Sequence, residues 1–232
     1  MSRPTTPFTA VVLAGDRSSE DPVARAAGVR SKSLIPVGGT PMVLRVIDAL
    51  ESAREIEGVV LCGPDKSAVD QEQELRLRIG SGKVKWLESQ TTPSSSTYYA
   101  MQSLSDSAPV LVTTADHALL TAEMVNYFCS GVRKSDKDVV VGLVLHELVT
   151  AQYPETKRTA IQLADGSYCS CNLFGFLTPE ARSAAYFWRK VESQRKKTLR
   201  VIAGFGWLNL LRYVLKRPSL EQGLGQISQR LG

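Results

Sequence analysis

The stretch Val11-Val12-Leu13-Ala14-Gly15-Asp16-Arg17, followed by Lys32-Ser33-Leu34-Ile35-Pro36-Val37-Gly38-Gly39-Thr40-Pro41-Met42, decides how this chain is read. From Phe8 to Leu13 every residue but one threonine is apolar. An unbroken apolar run without polar alternation is the pattern of a strand buried on both faces, as in a parallel sheet. It ends in Ala14-Gly15, so a turn stands at the carboxyl end of the first strand. Open α/β sheets bind their ligands at that edge. A small residue there lets a polyphosphate approach main-chain N–H groups. Lys32 then supplies a mobile point charge for phosphate oxygens.

Two familiar phosphate loops are excluded. No Gly-Lys-Ser/Thr closes a Walker pattern, and no second and third glycine complete a dinucleotide fingerprint. The block Lys-x-Leu-x-Pro-Val-x-Gly-x-Pro-Met, entering a helix, is long and specific. Together the two blocks resemble the signature of the NTP-dependent nucleotidyltransferases, the MobA-like and sugar-phosphate enzymes with a glycosyltransferase-A-like fold. The resemblance covers roughly residues 8 to 176. It implies a Rossmann-like three-layer αβα sandwich with a mostly parallel mixed sheet, of the nucleotide-diphospho-sugar transferase type. It also implies nucleotide contacts at Leu13, Ala14, Gly15, Asp16 and Lys32. Relatives typically carry a second small residue after Ala-Gly and an arginine a few positions later. This chain departs from them, with Asp16 and then Arg17 at once. Among Arg17, Arg25 and Arg30 of the polar segment 17–31, Arg17 is the expected triphosphate contact.

Strand and helix patterns alternate, which argues for a layered α/β sheet. Strands are expected at Phe8–Leu13, Gly58–Cys62, Lys83–Leu87, Val110–Thr114 and Asp138–Leu145. Helices are expected at Pro41–Ser52, Ser67–Ile79, Ser96–Leu104 and Ala122–Ser130, with Pro41 at the first helical position and Thr121 as an N-cap. Later strands are read at Lys157–Leu163 and Cys171–Leu177, with a turn at Gly166 between them. Helices resume at Pro179–Arg195 and Leu199–Lys216, and Ser219 caps a last one to Leu231. The expected organisation is a catalytic domain over 8–180 and a helical C-terminal extension over 181–232 packed on it.

Val110 to Thr114 delivers Asp116 at the same sheet edge as Gly15. Since Thr121 is placed to cap the next helix, Asp116 is free for other work. It resembles the family's magnesium-binding aspartate, and one carboxylate suffices where the nucleotide supplies the other oxygens. His117 reads as a loop or packing residue. Gln90 to Ser96 follows a strand and opens a helix, so its hydroxyls and N–H groups can read a base edge or hold an anion. Thr92, Pro93, Ser94 and Ser95 are the expected nucleotide contacts there, against plain capping by Ser94 or Ser95. Asn172 lies where relatives carry a short strand beside the acceptor, and is the candidate acceptor contact.

The reaction implied is nucleotidyl transfer from a nucleoside triphosphate to a small phosphorylated acceptor, a sugar, polyol or cofactor-precursor phosphate, with pyrophosphate released. A phosphate nucleophile is already ionised at pH 7, so catalysis is positioning and charge neutralisation by Lys32, Arg17 and Mg²⁺ on Asp116. No hydrolase triad is legible, since neither histidine has a nucleophile-elbow neighbour. The alternative is a nucleotide-binding or regulatory protein of the same fold that has lost turnover. The base is not legible.

Composition bounds the rest. The 232 residues carry a net charge of +5 and 43% apolar residues, ordinary for a soluble domain that meets an anionic partner. No uncharged apolar stretch reaches the roughly 18 residues of a membrane helix, and the first seven residues lack a signal-peptide core. Four cysteines without a disulfide or zinc spacing point to a reducing cytoplasm. The basic segment over 189–217 reads as a solvated helix and a core helix around Trp207. A membrane-surface face is the sharper alternative, and no nucleic-acid signature accompanies it.

Overall fold

Phe8–Leu13 forms β1, the central strand of a computed structural model that describes residues 6–16, 21–189 and 218–231. Four of its six residues are fully buried, Phe8, Ala10, Val11 and Val12. It has parallel neighbours on both sides: β4 (Ile56–Cys62), in the register Val11 to Val60, and β6 (Val110–Thr114), in the register Val11 to Val112. β5 (Val84–Leu87) adds to β4, also parallel. Being flanked on both sides and covered on both faces is why every residue of the strand but Thr9 is apolar.

The described residues fall into two compact units. One takes the chain up to Val140 together with Asn172–Tyr186; the other takes Val141–Cys171 and the chain from Phe187 onward. In the first, the end of β9 (Gly166–Phe176) pairs antiparallel with β6, Phe174 against Val112. That makes the sheet mixed but mostly parallel. Helix α2 (Met42–Glu51) covers one face with Val43, Val46, Ile47 and Leu50, spaced as one helical stripe. It packs on β4 and on α6 (Ala122–Lys134). α6 lies so close over the sheet that a Cβ on Gly175 would meet Val132 at 2.9 Å. The other face, Val11, Val60, Val110 and Val112, meets Ala100 and Met101 of α5 (Pro93–Gln102) and Ala181 and Ala185 of a helix over 181–189. Arg182 ties that helix to α5 by donating to the carbonyls of Met101 and Ser105. The expected three-layer αβα sandwich is thus present.

The second unit holds most of β7 (Val139–Leu145), then α7 (His146–Gln152), a hairpin of β8 (Ile161–Leu163) with the start of β9, and the C-terminal helix Leu220–Leu231. The Ser219 hydroxyl accepts from the Gln222 N–H, the cap expected of it.

The structure corrects several boundaries. The helix expected over Ser67–Ile79 is two, α3 (Lys66–Gln71) and α4 (Gln73–Gly80), because Glu72 is extended at φ −101, ψ 103. Glu72 then caps the second helix through the Glu74 N–H. α5 begins at Pro93 rather than Ser96. Pro41 is an N-cap in extended backbone rather than the first helical residue. The hairpin turns at Ala164-Asp165, with Gly166 already in the strand. Not expected were α1 (Pro22–Ala26) inside the polar loop, a 3₁₀ turn over Lys32–Leu34, α7, and the tiny hairpin of β2 (Pro36–Val37) with β3 (Thr40–Pro41). Its two central residues, Gly38 and Gly39, have φ of 60° and 82°, the conformation a two-residue primed turn demands and glycine supplies. The Pro-Val-Gly-Gly-Thr-Pro core of the block is therefore a hairpin that delivers the chain into α2.

All four cysteines are free thiols. Burial pushes those of Cys62 and Cys129 up to about 12, so both stay protonated and packed. Among the described residues no helix is long and apolar enough to cross a membrane. The expectations for Arg195, Trp207 and the rest of 190–217 lie outside the described residues.

Candidate functional site

Two strand ends fix the loop after β1. The Ala14 N–H donates to the Cys62 carbonyl at 2.8 Å, and the Leu13 carbonyl accepts from the Ala115 N–H at 2.9 Å. The loop is therefore bonded to β4 on one side and to the end of β6 on the other. Gly63 presses against it: a Cβ there would lie 3.0 Å from the Gly15 nitrogen and 3.1 Å from the Ala14 carbonyl carbon. A Cβ on Gly15 would meet the Ser89 side chain at 2.8 Å. The small residues at 15 and 63 are thus needed for the close approach of three loops, and sequence reasoning found only the first.

Lys32 is presented by a 3₁₀ turn over Lys32–Leu34. Ser31 and Ser33 on either side are buried and bonded to each other, Oγ to Oγ, at 2.8 Å. The Ser31 Oγ also accepts the Ser33 N–H. The Lys32 N–H is satisfied from outside the turn, by Asp16 Oδ1 at 3.1 Å. Buried serines holding an outward lysine explain Ser-Lys-Ser at the head of the block.

The Lys32 ammonium reaches Asp116, 84 residues away, with Nζ 2.6 Å from Oδ2; the side chains are 42% and 39% exposed. The Thr114 hydroxyl donates to the other oxygen, Oδ1, at 2.7 Å. Partial burial raises the Asp116 pKa, but the bonds from Lys32 and Thr114 outweigh it, and the carboxyl is held below the usual carboxylate range. Arg45 of α2 steadies the chain just beyond by donating to the Ala118 carbonyl at 2.9 Å. His117 lies in the same turn, its N–H on the Thr114 carbonyl, in keeping with a loop role.

The third wall is the segment before and into α5. Thr92, not Ser94 or Ser95, is the N-cap, its Oγ1 accepting the Ser95 N–H at 3.1 Å. The Ser96 hydroxyl accepts the Gln90 N–H at 2.8 Å and closes the loop.

These pieces enclose a cleft of about 300 Å³, the lower end of the range for small-ligand sites. Of the expected residues it is lined by Leu13, Ala14, Gly15, Asp16, Lys32, Thr92, Pro93 and Asp116. Ser94 and Ser95 do not line it; Ser94 is fully buried. Asn172 does not line it either, and stands at φ 52 in β9. Arg17 lies outside the described residues. Asp21, Ser33, Gln90, Thr91, Ser96, Thr114 and Ala115 complete the lining. Gln90, Thr91 and Ser96 belong to the block singled out in the sequence. Thr114 had a signal too, a hydroxyl two residues before a carboxylate at a strand end. Among the described residues no group of three or more His, Cys, Asp or Glu is placed to hold a metal ion.

Residues 10–162 of the chain match the model of the MobA-like NTP transferase domain. The chain belongs to that family. No curated protein matches it. Among solved structures, the MobA-like domain and its C-terminal continuation resemble a hypothetical transferase from Thermus thermophilus, at 29% identity and TM-score 0.73 over 97% of this chain and 89% of that one. The 4-diphosphocytidyl-2C-methyl-D-erythritol synthase of Anaerococcus prevotii is 14% identical, with TM-score 0.55 over 81% and 76% of the two chains. A CMP:2-keto-3-deoxy-manno-octonic acid synthetase in complex with CTP is 11% identical, with TM-score 0.53 over 85% and 86%. At these two identities the likeness is one of fold. The MobA-like domain thus shares the nucleotidyltransferase fold, and the cleft sits at the carboxyl ends of β1 and β6, where such sheets bind ligands.

Proposed function

We propose that this MobA-like domain transfers a nucleoside monophosphate from a nucleoside triphosphate to a small phosphorylated acceptor in the cleft between Gly15, Lys32, Thr92 and Asp116. The observation that carries the reading is the Lys32–Asp116 pair. Two opposite charges from distant parts of the chain meet, both partly exposed, beside the loop that follows β1. Such exposed pairs contribute only about 0–1 kcal/mol to stability, so stability is a weak reason to assemble one.

In this reading a phosphate oxygen of the acceptor attacks the α-phosphorus. The bond from that phosphorus to the bridging oxygen breaks, and pyrophosphate leaves with the electron pair. No side chain has to take a proton, because the acceptor oxygen is already ionised. Lys32 neutralises phosphate charge as the displacement proceeds. Arg17 is proposed as a second triphosphate contact, and Asn172, outside the cleft lining, as a contact for the part of the acceptor that extends beyond the cleft. All the chemistry falls within 8–180. The four free cysteines suit a reducing cytoplasm.

Asp116 is the residue that would hold Mg²⁺. The donor set fits a cation that arrives with the nucleotide: one partly exposed carboxylate, oriented by the Thr114 hydroxyl. A magnesium ion bound with one protein carboxylate completes its shell with phosphate oxygens and water, and when bound it supplies charge neutralisation.

Asp16 favours a second reading, nucleotide binding without turnover, since a carboxylate stands where relatives carry a small residue. A pyrophosphate-release assay of ATP, GTP, CTP and UTP against pooled sugar, polyol and cofactor-precursor phosphates, with Mg²⁺, separates the two. Transfer predicts release with one nucleotide and one acceptor class, dependent on both. Silence in every pool from a folded sample that still binds nucleotide would leave the binding protein.

A further inference from the structure

We infer that Asp16 is a positioning residue for Lys32, and that its charge selects metal-complexed over free nucleotide; the second half rests on the nucleotide reading above. The tether starts from donors the turn cannot satisfy. A 3₁₀ turn leaves its first N–H groups without partners inside the turn. Ser31 takes that of Ser33, and Asp16 Oδ1 takes that of Lys32 at 3.1 Å. Asp16 follows Gly15 directly, in the loop bonded to both β4 and β6. One hydrogen bond therefore couples the backbone of the lysine to the loop that would meet the phosphates.

The charge has a separate consequence. Asp16, Asp21 and Asp116 line the cleft with Lys32 as the cation among the described lining residues. Asp21 spends its carboxylate on the Val23 and Ala24 N–H groups at the start of α1, and Asp116 is paired with Lys32. Asp16 is exposed and, among the described residues, bonds only a neutral backbone N–H, so its charge faces the cleft it lines. A free polyphosphate is repelled by it. A nucleotide whose phosphates already carry Mg²⁺ is repelled much less.

Asp16→Asn and Asp16→Ala separate the two roles, because asparagine keeps the acceptor oxygen and loses the charge. Asp16→Asn should bind nucleotide in EDTA about five- to tenfold more tightly than the parent, with binding in Mg²⁺ changed less than about twofold. Asp16→Ala should show the same gain in EDTA. Its Lys32 amide should exchange with solvent about tenfold faster or more, while that of Asp16→Asn stays protected. In turnover, Asp16→Ala should lose about tenfold in kcat with KM little changed, and Asp16→Asn should restore most of it. Circular dichroism establishes that both variants fold. Equal affinity of parent and Asp16→Asn in EDTA would overturn the charge selection. A protected Lys32 amide and full kcat in Asp16→Ala would overturn the tether. A parent that binds none of ATP, GTP, CTP or UTP in either form refutes the nucleotide reading and the selection with it, while the amide exchange still decides the tether.

Discussion

Replacing Lys32 by alanine is expected to lower the rate of pyrophosphate release by on the order of 10² or more, the usual cost of removing one preorganised electrostatic group. The fold should survive. The Lys32 side chain is 42% exposed, and its presentation depends on Ser31, Ser33 and the backbone rather than on the ammonium. Asp116→Ala should cost a similar factor and should in addition flatten the dependence of rate on Mg²⁺. Unfolding curves of both variants close to the parent's, beside the lost rate, are the expected combination; a fully active Asp116→Ala protein would show that the charge is handled elsewhere. The pair also sets a pH signature. The Asp116 carboxyl is held below its ordinary value in the folded protein, so its contribution to stability is present above the unfolded pKa of about 3.9. It is lost as pH falls through the lower folded value. The stability difference between the parent and Asp116→Asn should therefore be constant near neutrality and close only below about pH 4.

Gly63→Ala should be the most damaging single-methyl change near the cleft, at about 2–3 kcal/mol. Two costs add. Gly63 has φ +78, a conformation that strains any other L residue. Its Cβ would also lie 3.0–3.1 Å from the Gly15 nitrogen, the Gly15 Cα and the Ala14 carbonyl carbon, which are backbone atoms of the loop that lines the site. Gly82 is the control, since it has the same φ of +78 and nothing within 4 Å of its added Cβ. Gly82→Ala should cost about 1 kcal/mol through backbone strain alone and leave activity untouched. Gly63→Ala should lose both stability and rate. Denaturation midpoints and pyrophosphate release, measured on the two variants side by side, isolate the contact. Identical results for the pair would mean that the loop yields freely.

How much of the fold was legible in the sequence depends on the physics of each element. β1 and β6 have the boundaries their sequences predict, because strands buried on both faces are dominated by apolar residues. Asp116 stood out for a related reason, as a charge placed at a strand end, and Lys32 as the head of the Lys-x-Leu-x-Pro block. That they touch was not legible, since sequence carries no distance between residues 84 apart. The break at Glu72 was hidden because the helical pattern runs through it. α1 was hidden because five residues capped by Asp21 are too few to show an apolar stripe. Thr92 displaced Ser94 and Ser95 as the cap because Pro93 suits the first turn and sets the helix start ahead of the serines. Asp16 looked like a departure from the family pattern; only the structure shows it answering a donor that Ser31 leaves over. Gly63 carried no signal beyond a Gly-Pro turn, and its role depends on two loops that meet only in the fold.

The most direct test of the central claim, that the cleft bounded by β1, β6 and the start of α5 is the nucleotide site, is a titration of the ¹⁵N-labelled full chain with each of the four nucleoside triphosphates in Mg²⁺, monitored by backbone amide shifts. The account predicts that at least one nucleotide moves Gly15, Asp16, Lys32, Thr92, Ser96 and Asp116 together, saturably, while amides of the C-terminal helix Leu220–Leu231 stay in place. Saturable shifts confined to other residues, or none with any of the four, would contradict it.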